Sequence, residues 1–99
     1  MSASRFERAL ARSAAQAGAA LAVESHRAVA WHSATFSGDR HEVTVSATPG
    51  APLDGWAARL PTLELGLPGQ LLADLRIAGR ERHGDVVRLR IEGLTVAVA

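Results

Sequence analysis

The chain has 99 residues, 47% of them apolar and 21% charged, which excludes a disordered polyelectrolyte and fits one domain around one core. Eleven arginines and no lysine face ten acids, and a net charge of +1 argues against a strongly basic, nucleic-acid-binding surface. Cysteine is absent, which excludes a disulfide framework, a thiol nucleophile and a thiolate metal site.

No apolar run approaches the ~20 residues of a membrane span. The N-terminal segment has the early arginines and small residues of a targeting peptide. Glu7, Arg12, Ser13 and Gln16 interrupt its apolar stretch, however, and it reads better as a folded helix in a cytoplasmic protein. Ser4-Arg5-Phe6-Glu7 matches the SxxE capping box, so a helix is expected to start at Ser4. At helical spacing Phe6, Leu10, Ser13, Ala14, Ala17 and Leu21 gather on one face and Arg5, Arg8, Arg12 and Gln16 on the other. This predicts an amphipathic helix of about five turns that packs closely on a sheet through small alanines.

A loop is expected near Glu24 to Arg27, followed by strands at 28–37 and 40–47 joined by a two-residue turn at Gly38-Asp39. That register puts Phe36 opposite His41, Ala34 opposite Val43 and His32 opposite Val45 on the inner face. It leaves Trp31, Ser33, Thr35, Glu42, Thr44 and Ser46 on the outer face. After the turn cluster "TPGAP", Leu53, Trp56, Ala57 and Leu60 predict a short helix ended by Pro61. Strands at 62–67 and 70–79 flank a type II turn centred on Pro68-Gly69. Leu71, Ala73, Leu75 and Ile77 point inward in the second of them. Beyond the polar turn "RERHGD", Val87, Leu89 and Ile91 point inward. At Gly93 the apolar alternation passes to Leu94, Val96 and Val98, which predicts a bulge or bend there. The order is α-β-β-α-β-β-β, an α+β domain spanning 1–99 with an antiparallel sheet of about five strands and two helices on one face.

His32 and His41 sit about four residues apart along the expected hairpin, roughly 13 Å at strand rise, too far to share a metal. His41 is expected near solvent at the hairpin end and His32 half-buried; His26 and His83 fall in expected loops. Ser33, Ser37 and Ser46 stand in no nucleophile motif, and "GRERHGD" precedes no helix whose amides would hold a phosphate. No catalytic residue, metal or cofactor is therefore assigned. In the last hairpin Arg76, Arg80, Arg82, Arg88 and Arg90 are interleaved with Asp74, Glu81, Asp85 and Glu92. That pattern reads as an ion-paired sheet face with Asp74 opposite Arg90 or Glu92.

The candidate binding residues are Trp31, Thr35 and Thr44 on the outer face, with Arg76, Arg88 and Arg90 on the arginine hairpin. The charge-free C-terminus "GLTVAVA" lacks the devices that blunt an edge strand. Leu94, Thr95, Val96 and Val98 are therefore expected either to pair with the N-terminal hairpin or to form the edge of a homodimer. The expected function is a non-catalytic interaction or accessory protein that binds itself or another protein. A small ligand-binding or enzymatic domain is the second reading, and weak binding of nucleic acid or another acidic partner the third.

Overall fold

The computed structural model describes residues 2–98, with side chains from Arg5 to Val98. Helix α1 (Ser2–Gln16) leads into strands β1 (Ala22–His32) and β2 (Ser37–Ala47). Helix α2 (Ala51–Arg59) and one 3₁₀ turn (Leu60–Thr62) follow, and β3 (Gln70–His83) and β4 (Val86–Ala97) end the fold. The strands form one antiparallel sheet in the order β1-β2-β4-β3. The fold is α+β, as expected, with four strands rather than five.

The helix and strand ends have local causes. α1 stops at a Schellman motif: Gly18 has φ 88°, its N–H donates to Ala15 O, and Ala19 N–H reaches back to Ala14 O. Gly18 thus ends the helix before Leu21, where alanine propensity alone would have carried it on. Ser4 lies inside α1, which begins at Ser2, and Glu7 turns its carboxylate to His26 instead of to a helix amide. The Ser4 side chain lies outside the described residues. α2 has Pro52 in its first turn, Asp54 near its N-terminus and Arg59 near its C-terminus, all suited to the helix dipole.

The β1–β2 turn is not Gly38-Asp39. It is the loop Ser33–Phe36, closed by Ser33 N–H donating to Phe36 O at 2.7 Å, with the Ser33 hydroxyl accepting from the Phe36 and Thr35 amides. Gly38 lies inside β2, where a Cβ would sit 1.8 Å from the Thr95 carbonyl oxygen, so close strand approach and not a turn requires glycine there. His32 consequently faces Ser37 instead of Val45. The displacement is an even number of residues, so inner and outer faces survive it.

Residues 63–67 do not pair as a strand. Leu63 and Leu65 pack against the core and Leu67 is buried, but the segment lies between the 3₁₀ turn and a tight turn without a ladder partner. That tight turn is the type II turn expected at Pro68-Gly69: Gln70 N–H donates to Leu67 O, and Gly69 has φ 78°. β3 is longer than expected because a two-residue turn, Gly84-Asp85, joins it to β4, with Gly84 at φ 61° in the first central position of a II′-type hairpin.

β4 occupies the middle of the sheet. Leu94 lies opposite Arg40 and Asp74, Thr95 opposite Asp39 and Leu72, and Val96 opposite Gly38 and Leu71, while Val98 N–H donates to Gly69 O. The homodimer edge expected at Leu94, Thr95, Val96 and Val98 is therefore filled by strands of the same chain. Gly93 carries no bulge; the irregularities lie on β3, between Leu72 and Asp74 and between Ile77 and Gly79. The first of these turns Leu71 outward and brings Leu72 against the core. One core remains, built from Phe6, Leu10, Leu53, Trp56 and Leu60 on the helix layer and Val43, Val45, Leu75, Val87, Leu89 and Ile91 on the sheet. Trp56 completes it with a polar contact, its indole N–H donating to Ser13 Oγ at 3.0 Å.

Candidate functional site

Beside Phe6, apolar packing gives way to a line of polar side chains from four elements. Glu7 of α1 lies 2.8 Å from His26 Nδ1, His26 Nε2 lies 2.9 Å from His41 Nδ1, and His41 Nε2 lies 3.3 Å from Thr95 Oγ1. The Thr95 hydroxyl is also within reach of Asp39 O, at 3.4 Å. Phe6 stacks on His41 with ring centroids 4.0 Å apart and planes 10° from parallel. His41 is 1% exposed and Thr95 0%, the His26 side chain is 5% exposed, and only the Glu7 side chain, at 32%, opens clearly to solvent.

The sequence folds this way because His26 and His41 share the helix-covered face. Val43 pairs with His26 and His41 with Ala28, which places the two rings on neighbouring rows of β1 and β2. Gly93, between them and β3, leaves the space that Phe6 fills. Burial is the main cause holding His41 below the ordinary histidine range. Repulsion from His26 adds to it and Asp39 opposes it. His41 is thus a neutral ring in a polar chain.

The histidine expectations are overturned in a specific way. His26 belongs to β1 and not to a loop; His41 is buried and not near solvent; His32 is exposed and not half-buried. The pair that meets is His26 and His41, which a turn at Gly38-Asp39 would keep apart. Among the described residues no group of three or more His, Cys, Asp or Glu side chains is arranged to hold a metal. His83 is exposed beside Glu81 on the far hairpin.

The second feature is the face of the sheet away from the helices. Trp31 does lie there, beside Gly38, Val96 and Leu71 along one row, with Val29 and Leu94 on the next. Its indole nitrogen is buried without a hydrogen-bond partner. Thr44 shares this face further along, while Thr35 belongs to the Ser33–Phe36 loop, so Trp31, Thr35 and Thr44 do not form one site. Between the apolar end and the charged end lies an open depression of about 370 Å³ lined by Arg27, Arg40, Arg76, Glu42, Asp74 and Glu92, equal numbers of each sign.

The arginines of the last hairpin are engaged locally. Arg76 pairs with Glu92, Arg80 with Asp54 of α2, and Arg88 with Glu24 through two bonds. Arg82 donates to Gly84 O and Arg90 to Ala78 O. Hydrogen bonding to Arg88 holds the Glu24 carboxyl below its ordinary range. Asp74 meets neither Arg90 nor Glu92, because the bulge before it sets it opposite Leu94. Arg76, Arg88 and Arg90 accordingly knit the sheet surface together. Among the described residues no helix is long and apolar enough to cross a membrane. Comparison with protein-family models, with curated proteins and with solved structures finds no match to this chain.

Proposed function

We propose that this chain is a non-catalytic interaction domain that associates with a second copy of itself through the open edge of β1. The observation that carries this reading is the contrast between the two sheet edges. β3 is blunted by two bulges and carries Arg76, Arg80 and Arg82, the devices that keep an edge strand from pairing. β1 has its single irregularity near its start, between Val23 and Ser25, and runs in unbroken register from Ser25 to His32. Over Ala28–Trp31 it has no charge and no proline, and Val29 is 45% exposed.

The edge is also self-complementary. An antiparallel pairing with its two-fold axis at Val29 sets that residue against its own copy and Ala28 against Ala30 of the partner subunit. It sets Arg27 against the partner's Trp31, where a guanidinium can lie on the indole face. The result is a continuous eight-stranded sheet made by strand addition.

The test is molar mass in solution for the wild type and for Val29→Glu, which would place like charges opposite each other across the axis. A wild-type dimer and a folded monomeric variant are expected. A wild type that stays monomeric at high concentration, or a variant that still dimerises, overturns the reading.

A further inference from the structure

We propose that Glu7, His26, His41 and Thr95 form a pH-responsive relay that accepts one proton without breaking and responds by reversing the direction of its hydrogen bonds. With both rings neutral, Glu7 accepts from His26 Nδ1–H, His26 Nε2 accepts from His41 Nδ1–H, and His41 Nε2 accepts from the Thr95 hydroxyl. Every contact then joins one donor to one acceptor.

Adding one proton at His26, beside the Glu7 carboxylate, makes its Nε2 a donor. His41 Nδ1 must then accept, so the His41 hydrogen moves to Nε2 and is donated to Thr95 Oγ1. The Thr95 hydroxyl turns to Asp39 O. Again every contact is satisfied. A second proton cannot be accommodated, because His26 Nε2–H and His41 Nδ1–H would face each other across 2.9 Å.

The carboxylates around the rings favour the first proton, and repulsion between the two rings opposes the second. Glu7 from α1 and Asp39 from β2 are the carboxylates that face them. β4 contributes Thr95 and Gly93, and Asp74 and Arg76 of β3 lie on the opposite face of the sheet. Glu7, the most exposed member, gives solvent access at one end. The reversal is delivered at the other, in the row Ala30, Asp39 and Thr95 next to Trp31 and Gly38. The relay thus connects the surface of α1 to the interior of the sheet, whether or not the protein dimerises.

The experiment is histidine ring-nitrogen NMR on isotope-labelled protein through a pH titration. His41 is expected to stay neutral while its hydrogen moves from Nδ1 to Nε2 at the pH where His26 becomes doubly protonated. Thr95→Val keeps the branched shape and removes the hydroxyl. It should weaken proton uptake by the relay about tenfold, the effect of one buried hydrogen bond, although Thr95 does not touch His26. Glu7→Gln should move uptake in the same direction. A His41 ring that keeps one tautomer throughout, or that itself becomes the doubly protonated ring, overturns the proposal. So does an uptake midpoint unmoved in a folded Thr95→Val protein. If that variant does not fold, the wild-type tautomer decides alone.

Discussion

Gly93 shows how one residue divides this molecule. A Cβ there would lie 2.6 Å from Phe6 Cζ and 3.4 Å from Leu75 Cδ1, so the missing side chain is the socket for the Phe6 ring. Its backbone is unstrained, and the expected cost of Gly93→Ala comes from overpacking alone, about 1–3 kcal/mol, measurable by urea denaturation. Unchanged stability would mean that Phe6 can leave the socket freely. The change of apolar parity at Gly93 is legible in the sequence, but its meaning is not a bulge. Val87, Leu89 and Ile91 fill the core, and from Gly93 onward the same inner face holds Phe6 and then Thr95 with its histidine partner, while Leu94 and Val96 face the bare side. The relay itself was not legible, because its four members come from α1, β1, β2 and β4 and meet only in one register. The nearest signal was a histidine, His41, standing in the alternation that also buries Val43 and Val45.

Among the elements, turns decided what could be foreseen. Pro68-Gly69 carries its own backbone requirement and is legible as a turn from its two residues alone, and Gly84 likewise defines its hairpin. Gly38-Asp39 has the composition of a turn but the environment of a strand, and the loop that does form is closed by the Ser33 backbone N–H and braced by its hydroxyl. Two expectations separate these roles. Ser33→Ala should loosen the loop at a cost of about 0.5–1.5 kcal/mol, since one hydroxyl accepts from two amides. Gly38→Ala should be much more damaging, because the clash is with backbone of the central strand. Thermal melts of the two variants check the order, and a Gly38→Ala protein as stable as Ser33→Ala would return Gly38 to a turn-like role. The central place of β4 has a related consequence. A chain ending at Gly93 would remove the partners of Gly38–Arg40 on one side and of Gln70–Asp74 on the other, and should lose cooperative folding, as circular dichroism would show.

The whole molecule joins two helices to a single sheet, and its most buried ionisable group sits where they meet. His41 is held below its ordinary value of 6.5, chiefly by burial, so the unfolded chain binds more protons than the folded one as pH falls through that value. The stabilising contribution of a neutral His41 is fully present above about 6.5 and is lost progressively on acidification below it. The relay sharpens the sign. Its folded form holds one proton between two rings, whereas two unfolded histidines would each take one, leaving the native state a proton short in acid. The slope is then at most about 1.4 kcal/mol per pH unit for that one proton. His41→Leu removes the shortfall: it should lower stability near neutral pH, because His26 and Thr95 lose a partner, and flatten the fall between about pH 7 and about pH 5. Urea midpoints for both proteins over that range test the linkage. A wild type whose midpoint rises on acidification, or a variant with the same slope as the wild type, would show that the acid sensitivity of the fold lies outside this cluster.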